Sequence, residues 1–343
     1  MFNFKHPFEK NIPLKHNVLL LETNGCHGEV IGGYAKYFQD LGYNVYILVS
    51  KVIKKENPFC RLNAHNIFAS RNKSFQTLLK SQYINNYDHI FVMSSVDYAH
   101  GQENAVKNLY PDLQKHPSVY YVHHNKQYIN KLYKQTNKKH NIMLGKFDNT
   151  VYINPHLFGD YKIPKKQDET IFVSVGGVNP KRKNHTILLS AIDELDKQHM
   201  KFKVLVVGSG SLKHLQSNIK KHIKLLGHLN YKKMYDVVEK SHFFLPLLDE
   251  HNAKHTRYIK TQVTGSAQLI YGFRKIPVTH KKFAPFYRFN DKNAVVYNNL
   301  TDGMKSAIMM TDKDYDKHIK QMDKTATKIY NESLNNLKEI LNA

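Results

Sequence analysis

A glycine pair followed by a cluster of basic residues gives the strongest chemical signal in this sequence. In the run FVSVGGVNPKRKNH, an apolar strand pattern leads into Gly176 and Gly177, and Arg182 and Lys183 stand just before a helical pattern. Glycines let the backbone approach a ligand closely, a helix N-terminus offers free N–H groups, and the two cations add positive charge. The segment predicts a diphosphate site. Taken alone, it also fits a solvated basic turn.

Two more strand-like runs end in glycine. The run VLVVGSGSL places Gly208 and Gly210 at the end of an apolar strand, one βαβ unit after the glycine pair and on the same edge of a parallel sheet. A further strand ends at Leu226-Gly227-His228, where backbone groups can meet a base or a ribose. A lone Gly-x-Gly is weak evidence, and its weight here comes from its position.

A third set of polar residues follows the next apolar strand. That strand ends at Pro246, Glu250 comes four residues later in a loop, and Thr264-Gly265-Ser266 begins the following helical pattern. Hydroxyl groups beside a glycine at a helix N-terminus form a second phosphate cradle. For Thr264 or Ser266 taken singly, a plain N-cap role is the alternative.

The first half of the chain places histidines and glycines after two strands. The loop TNGCHGE contains Gly25, His27 and Gly28, and its glycines permit a close backbone approach to a sugar or a diphosphate. His27 is a candidate acceptor contact or base, although a surface histidine without a role is the alternative in a chain with 21 histidines. In the run YYVHHNKQY, successive side chains of an extended segment face opposite sides, so only one of His123 and His124 faces a ligand.

The elements that must position these residues follow an α/β pattern. We predict strands at Asn17–Glu22, Asn44–Ser50, His89–Ser94, Ser118–Val122, Thr150–Ile153, Thr170–Val175, Phe202–Val207, Ile223–Leu226, His242–Leu245 and Ile276–Thr279, mostly followed by helical patterns. The polar stretch Lys162–Glu169 fits a linker. The chain therefore predicts an α/β protein with two Rossmann-like domains that face each other across a cleft.

The predicted domains have different tasks. Residues 1–158 form an N-terminal Rossmann-like domain for an acceptor, and residues 165–325 form a C-terminal Rossmann-like domain for a donor. Residues 326–343 form a C-terminal helix that crosses back to the first domain. The length of 343 residues suits two domains of ordinary size.

The charge balance indicates an anionic partner. The chain has 51 Lys and Arg residues against 28 Asp and Glu residues, a net charge of +23. Such a positive field favours lipid headgroups, nucleic acid or phosphorylated substrates. The enrichment in Lys, Asn, Ile and Tyr also fits an AT-rich genome. In that case the positive charge would reflect base composition and would not indicate an anionic partner.

Several classes of protein are disfavoured. No apolar run approaches the roughly 18 residues that span a bilayer, and Met1–Lys15 has no signal-peptide core, so we expect a cytoplasmic protein, with peripheral binding to the inner face of a membrane as one use of its charge. The two cysteines provide no disulfide framework. No Asp-x-Asp stands at a strand end, and we expect no metal.

The order and spacing of the motifs in residues 170 to 280 resemble the donor-binding half of retaining GT-B glycosyltransferases of the family-4 type (glycosyl transferases group 1). The resemblance implies that Arg182 and Lys183 bind the donor diphosphate, that Glu250 lies close to the sugar, and that His124, chosen over His123, touches the sugar. The chain departs from the family pattern at Gly177, where an arginine is usual, and at Tyr258, where a second glutamate would hold the ribose.

The resemblance implies transfer of a hexosyl group from a UDP- or GDP-linked sugar to an acceptor hydroxyl, with retention and without a cofactor or a metal. The acceptor would be a cell-surface glycan or a lipid-linked precursor. The predicted catalytic residues are His124 and Glu250, the predicted donor-binding residues are Gly177, Arg182, Lys183, Gly208, Gly210, Thr264, Gly265 and Ser266, and the predicted acceptor or sugar loop contains Gly25, His27 and Gly28.

Three alternatives remain open at this point. The first is a nucleotide-sugar epimerase of the same fold, and the second is a phage-type transferase that glycosylates DNA bases. The third is a nucleic-acid-binding protein without enzymatic activity. Against the third, the basic residues are spread along the chain and no nucleic-acid-binding motif is present.

Overall fold

The computed structural model describes residues 16–22, 24–62, 67–70, 82–93, 113, 115–127, 129, 140–212 and 215–342. The interpretation of Met1–Lys15 and the predicted positions of Thr23, Ser94 and Tyr128 lie outside these residues. The chain divides into two compact units. Unit 1 contains Met1–Phe158 together with Ser333–Ala343, and unit 2 contains Gly159–Glu332.

Unit 1 is built on a seven-stranded sheet whose neighbouring strands all run parallel. The strand order is β3-β2-β1-β4-β5-β6-β7. Apolar side chains of the central strands are fully buried because the sheet is covered on both faces. The strands are β1 (Asn17–Glu22), β2 (Asn44–Ser50), β3 (Ile67–Ser70), β4 (His89–Val92), β5 (Val119–His123), β6 (Asn141–Met143) and β7 (Val151–Tyr152).

The helices described in unit 1 follow strand ends. Helix α1 (Glu29–Asp40) follows β1, helix α2 (Lys51–Glu56) follows β2, and a short 3-10 helix covers Gln82–Asn86. Gly33 on α1 packs against the backbone of Pro155, where an added Cβ would lie 2.5 Å from the Pro155 Cα. This close approach fixes α1 against the segment that follows β7.

Unit 2 has a six-stranded parallel sheet with the order β10-β9-β8-β11-β12-β13. Its core includes a cluster in which Phe172, Leu188, Phe243 and Ile276 are fully buried. The strands are β8 (Thr170–Val175), β9 (Phe202–Val207), β10 (Ile223–Gly227), β11 (Phe243–Phe244), β12 (Ile276–His280) and β13 (Val295–Tyr297).

Side-chain caps begin several helices of unit 2, including the four that follow. The caps are Asn184, Asn230, Thr264 and Asn299, and each side-chain oxygen accepts a hydrogen bond from a backbone N–H of the first turn. The helices are α3 (His185–Lys197), α4 (Ser217–Lys220), α5 (Tyr231–Lys240), α6 (Arg257–Lys260), α7 (Gly265–Gly272), α8 (Leu300–Met309) and α9 (Asp312–Leu341), and a 3-10 helix covers Pro285–Tyr287.

The end of α9 packs in unit 1. The hydroxyl of Ser333 accepts a hydrogen bond from the backbone N–H of Asn154 at 3.0 Å, and the carbonyl of Ile340 accepts one from the Tyr120 hydroxyl at 3.1 Å. Both Ser333 and Leu337 are fully buried. Unit 1 is therefore completed by the last residues of the sequence.

The predicted α/β class with two Rossmann-like sheets is confirmed. In each unit the first strand lies in the middle of the sheet and the chain then builds outward on one side before it crosses to the other. The crossing point lies between β1 and β4 in unit 1 and between β8 and β11 in unit 2. At such a switch point the loops diverge and leave a crevice for a ligand.

Every predicted strand overlaps a strand of the structure, and β1, β2, β8 and β9 have the predicted bounds. The sequence analysis missed β3, β6 and β13. These strands have only three or four residues each.

Within the described part of the chain, no helix combines the length and the apolar character that a bilayer-spanning segment needs.

We predict that Gly208→Ala destabilises unit 2. Gly208 has a φ of +148°, and an added Cβ would lie 2.2 Å from the carbonyl oxygen of Gly176. The substitution should lower the free energy of unfolding by about 2–4 kcal/mol, measured by denaturant titration. Gly265→Ala is the control, because no atom lies within 4 Å of its added Cβ. Equal midpoints for the two variants would contradict the close packing of the β8 and β9 ends.

Candidate functional site

The Lys183 side chain lies at the switch point of unit 2, between the carboxyl ends of β8 and β11. Its Nζ donates hydrogen bonds to the carbonyl of Pro246 at 2.9 Å and to the hydroxyl of Ser266 at 3.2 Å. Gly176 makes room for this side chain, since an added Cβ there would lie 2.9 Å from the Lys183 Cε. Three segments that are distant in sequence therefore converge on one ammonium group.

The environment of Lys183 leaves its charge uncompensated. The residue is only 5% exposed, and both hydrogen-bond partners are neutral oxygens. Burial lowers the pKa of the Lys183 ammonium to about 7. Since an anion that bound beside it would restore the charged form, this lysine is suited to hold a phosphate group.

The glycine-rich strand ends lie side by side. The N–H of Gly176 donates to the carbonyl of Val207, and the N–H of Gly208 donates to the carbonyl of Gly227, each at 2.8 Å. An added Cβ on Gly210 would lie 2.9 Å from Val178, and one on Gly177 would lie 3.5 Å from the carbonyl of Ser209. The ends of β8, β9 and β10 thus present backbone rather than side chains at this edge.

The N-terminus of α7 contributes two hydroxyl groups with different roles. Thr264 is the N-cap, and its hydroxyl accepts a hydrogen bond from the N–H of Ser266 at 3.3 Å. Ser266 is buried, and its own hydroxyl accepts from Lys183. Gly265 between them is exposed. Thr264 therefore caps α7, and Ser266 is a hydrogen-bond partner of Lys183.

The loop that carries Lys183 is held by the segment after β11. Asn184 donates its amide to the carboxylate of Asp249 at 2.7 Å, and its backbone N–H donates to the carbonyl of Leu247 at 2.9 Å. The amide of Asn252 donates to the carbonyl of Pro180 at 2.9 Å. Arg182, by contrast, is exposed, and its side chain makes no hydrogen bond or ion pair within the described residues.

Glu250 is placed by a histidine at the end of β12. The Nε2 of His280 lies 3.1 Å from the Oε1 of Glu250, and the Nδ1 of His280 accepts a hydrogen bond from the N–H of Lys282 at 3.2 Å. This arrangement puts the proton of the neutral ring on Nε2, facing the carboxylate. Burial lowers the pKa of His280, although the nearby Glu250 opposes the shift. Glu250 is therefore a carboxylate whose position is fixed by His280.

Glu250 opens into a cavity of about 260 Å³ within unit 2. The cavity is formed by the first turns of α3, the loop after β11, the ends of β12 and β13, and the start of α8. It is lined by Thr186, Ile187, Ser190, Glu194, Leu248, Asp249, Glu250, His251, His280, Tyr297, Asn298, Asn299, Leu300 and Thr301.

Arg257 and Tyr258 lie at the C-terminal end of the loop that follows β11. The guanidinium of Arg257 lies 4.8 Å from the centre of the Tyr258 ring and donates to the carbonyl of Lys181 at 3.2 Å. The carbonyl of Tyr258 accepts a hydrogen bond from the Tyr287 hydroxyl at 2.5 Å. Tyr258 has no carboxylate to offer a ribose, and its contacts serve to fix the loop.

In unit 1, the loop after β1 meets the end of β5. The rings of His27 and His124 are stacked, with centroids 4.6 Å apart. His27 has a φ of +63°, an uncommon conformation for a residue other than glycine, and its Nδ1 lies 3.6 Å from the Glu29 carboxylate. Burial tends to lower the pKa of His27, but the interactions with Cys26 and Glu29 outweigh it and raise this pKa.

His123 points to the opposite side of its strand. It is fully buried, and its Nε2 lies 2.8 Å from the side-chain oxygen of Asn141. Burial lowers the pKa of His123 to about 4, so the ring is neutral. The predicted alternation therefore separates His123, a core histidine, from His124, which meets His27.

The glycines of the first loop differ in their surroundings. Gly25 is exposed and lies beside Val52, which is 55% exposed. Gly28 is buried, and an added Cβ would lie 2.7 Å from the Cγ2 of Ile53. Gly28 thus allows helix α1 to pack against α2, whereas Gly25 faces solvent.

The sequence analysis missed His280, Asp249 and Tyr297. His280 and Tyr297 are the last residues of two strands in a parallel sheet, which is the position where ligand-binding residues collect. Applied to the predicted strand Ile276–Thr279, this rule would have pointed to His280, the next residue. It could not point to Tyr297, because the strand that ends there, β13, was not predicted. Among the described residues, no group of three or more His, Cys, Asp and Glu side chains is arranged to hold a metal ion.

Comparison with known proteins gives one family match. Residues 169–254, about a quarter of the chain, match the family model of glycosyl transferases group 1. This segment contains the glycine pair, Lys183 and Glu250. A search of curated proteins gives no significant match.

Solved structures share the fold over almost the whole chain. A glycosyltransferase from Rickettsia africae ESF-5 is 14% identical, with a TM-score of 0.58, and the match covers 95% of this chain and 98% of that one. An alpha-glucosyltransferase in complex with UDP and a 13-mer DNA containing a HMU base is 13% identical, with a TM-score of 0.62 and coverage of 95% and 99%. AviGT4, a glycosyltransferase involved in avilamycin A biosynthesis, is 10% identical, with a TM-score of 0.56 and coverage of 96% and 99%.

The fold is accordingly that of GT-B glycosyltransferases. The family match covers Gly176, Lys183 and Pro246, which belong to the Lys183 site. Together, the match and the fold indicate that this protein is an enzyme of the glycosyltransferase class.

We predict that Lys183→Met makes the protein more stable than the wild type at and below pH 7. The wild-type lysine is charged there in both states, and the folded state bears the desolvation penalty. Between about pH 7 and 10.5 the unfolded state binds the extra proton, so wild-type stability rises relative to the variant by up to about 1.4 kcal/mol per pH unit. Denaturant titrations of both proteins at several pH values measure this difference. A difference that is independent of pH would show that the pKa of Lys183 is not lowered.

Proposed function

We propose that the protein transfers a hexosyl group from a nucleoside-diphosphate sugar, UDP- or GDP-linked, to an acceptor hydroxyl with retention of configuration. The observation that carries this proposal is the buried ammonium of Lys183, which is held by Pro246 and Ser266 at the switch point without a counterion among its hydrogen-bond partners. A diphosphate beside it would supply the missing negative charge.

The proposed catalysis is electrostatic. Negative charge develops on the diphosphate as the glycosidic bond breaks, and a preorganised cation stabilises that charge without reorganising solvent. The N-terminus of α7, with the exposed N–H of Gly265, adds its positive dipole end. Arg182 is exposed in the same loop and would add a second positive charge beside the bound diphosphate. These groups take the place that a divalent ion has in other transferases, so the reaction would need no metal.

The donor nucleoside would lie over the glycine-rich strand ends. Gly177, Gly208 and Gly210 expose backbone at the ends of β8 and β9, which permits close approach of a ribose and a base. One structure of similar fold, an alpha-glucosyltransferase, is a complex with UDP. Retention follows the family-4 resemblance of the matched segment, with Glu250 close to the sugar.

The acceptor would be met by the loop of unit 1 that contains Gly25, His27 and Gly28. The stacked pair of His27 and His124 offers ring nitrogens for a sugar hydroxyl. With a net charge of +23, the protein is suited to an acceptor on an anionic surface, and we propose a cell-surface glycan or a lipid-linked precursor on the inner face of a membrane.

A thermal-shift screen tests the donor. UDP, GDP and their sugars should each be added at increasing concentration, because a ligand at 100 times its dissociation constant stabilises the folded state by about 2.7 kcal/mol. We expect one of the two nucleotides to raise the unfolding temperature. The absence of any shift with all of them would contradict nucleotide-sugar binding.

We predict that affinity for the nucleoside diphosphate falls as pH rises above about 7. Lys183 with a pKa of about 7 must take up a proton on binding, so the dissociation constant should rise up to about tenfold per pH unit between pH 7.5 and 9.5, where the phosphates are already ionised. Isothermal titration measures this slope. Lys183→Met should bind weakly and without the slope, whereas Lys181→Met, which removes an exposed lysine from the same loop, should behave as the wild type.

We also predict that Lys183→Met lowers kcat by two or more orders of magnitude while the protein stays folded, because the leaving group loses its fixed cation. Release of the nucleoside diphosphate in the presence of an acceptor measures kcat, and NMR of the product reports the anomeric configuration. Near-normal turnover would remove Lys183 from the mechanism. Conversion of the nucleotide sugar in the absence of any acceptor would indicate an epimerase instead.

A further inference from the structure

Helix α9 carries a row of lysines on its outer side, within unit 2. Its inner side packs into the core through buried residues such as Tyr315, Ile319 and Met322. Since an α-helix has about 3.6 residues per turn and rises about 1.5 Å per residue, the lysines fall on the opposite side, in a sector of about 80° and over about 22 Å. All of them are exposed. This row, here called the lysine face, consists of Lys313, Lys317, Lys320, Lys324 and Lys328.

The lysine face differs from an ordinary solvated helix surface. On α3, the Nζ of the exposed Lys197 lies 2.6 Å from a carboxylate oxygen of Asp193, one turn earlier. On α9, Lys324 follows Lys320 after one turn, and Lys328 follows Lys324 after another. Like charges at this spacing destabilise a helix, whereas opposite charges stabilise it. The lysine face therefore has a cost in stability that the pair on α3 does not have.

The acidic residues of the same stretch leave the C-terminal part of the lysine face positive. Asp314 lies 2.9 Å from Lys317, and Asp323 lies 2.8 Å from Arg274, which belongs to another element. Asp316 is exposed one turn before Lys320. Within the part of the chain that the structure describes, no hydrogen bond or ion pair involves the side chains of Lys320, Lys324 and Lys328.

The residue types on the lysine face favour a partner with diffuse negative charge. All its cations are lysines, which act as point charges on flexible stems, and none is an arginine, which binds phosphate in a fixed bidentate geometry. Every residue from Lys313 to Lys328 is described, and the tyrosine among them, Tyr315, is only 1% exposed. No phenol or phenyl ring is therefore available on this face to stack on a nucleic-acid base. An anionic lipid surface has mobile headgroups, which attract each nearby lysine without a fixed geometry.

We propose that the lysine face docks the protein on an anionic lipid surface. The proposed function places the acceptor at a membrane, and this inference rests on that function and deepens it by naming the side of the protein that lies against the lipid. The contact is electrostatic, because between Lys313 and Lys328 no large apolar side chain is exposed. The ammonium groups of the lysine face approach the phosphates and carboxylates of the headgroups.

Sedimentation with vesicles tests this proposal on the whole chain, in the absence of any nucleotide. Vesicles of phosphatidylcholine with about 30% phosphatidylserine supply the anionic surface, and vesicles of phosphatidylcholine alone are the neutral reference. We expect the wild type to bind the anionic vesicles at low salt and not the neutral ones. The bound protein should be released at about 1 M salt, where the screening length falls to about 3 Å.

A triple variant removes the charges at the centre of the lysine face: Lys320→Gln, Lys324→Gln and Lys328→Gln. Glutamine and lysine have similar helix propensities, so α9 should remain helical. Because each lysine near an anionic surface strengthens binding about fivefold, this variant should bind the anionic vesicles at least about tenfold more weakly than the wild type.

The matched control removes three exposed lysines from α5: Lys232→Gln, Lys233→Gln and Lys240→Gln. It has the same net charge as the α9 variant and should bind the anionic vesicles within about twofold of the wild type. Denaturant titration separates loss of docking from loss of folding. Since the α9 variant no longer has lysines that repel each other one turn apart, its unfolding midpoint at low salt should be no lower than that of the wild type.

Three results would overturn the proposal. The first is a wild type that does not bind anionic vesicles at low salt. The second is an equal loss of binding in the α9 and α5 variants, which would show that net charge and not the lysine face is responsible. The third is that the α9 variant loses binding to a labelled DNA but keeps its binding to vesicles, which would assign the lysine face to nucleic acid.

Failure of the donor function gives a different result. In that case UDP and GDP do not raise the unfolding temperature of the wild type, whatever the vesicles show. If the donor function holds, the α9 variant should keep the thermal shift that the wild type has with the nucleotide, because its substitutions lie outside the Lys183 site.

Discussion

The buried ammonium of Lys183 is the interaction around which unit 2 is organised. To keep a lysine away from water with only neutral partners, the chain must bring together the ends of β8 and β11 and the first turn of α7. It must also leave Gly176 without a side chain, because the lysine stem occupies that space. Asn184 and Asp249 then lock the two loops to each other. The same constraints that make the site costly to fold make it rigid.

This rigidity separates two kinds of function along one sheet edge. On one side of Lys183, the strand ends expose only backbone groups, which can approach a ligand closely but are the same in every protein. On the other side, the cavity is lined by carboxylates, histidines and a tyrosine. The backbone at the glycine-rich strand ends would hold a nucleotide whatever the side chains are, whereas the side chains of the cavity could differ among enzymes of this fold.

The fold was largely predictable from the sequence, and the site was predictable only in part. Long apolar runs such as Asn17–Glu22 and Thr170–Val175 show their strands directly, because burial on both faces of a parallel sheet demands them. Lys183 was found because glycines and cations cluster locally. Ser266 as its partner, and His280 as the partner of Glu250, were not, since these pairs are joined only by the folded sheet. Burial of a single lysine among several exposed ones has no signature in the sequence.

Helix α9 has a consequence for how the protein is made. The segment from Ser333 onward belongs to unit 1, where Ser333 binds the backbone of Asn154 and Ile340 accepts from Tyr120. A ribosome therefore synthesises the bulk of unit 1 first, then all of unit 2, and only afterwards the residues that finish unit 1. Unit 2 is the first to have its complete set of contacts, although it is second in the chain. During synthesis, the sheet of unit 1 therefore lacks the contacts of residues 333–343 until unit 2 has been made. Over this period unit 1 is incompletely packed and is accessible to chaperones and proteases.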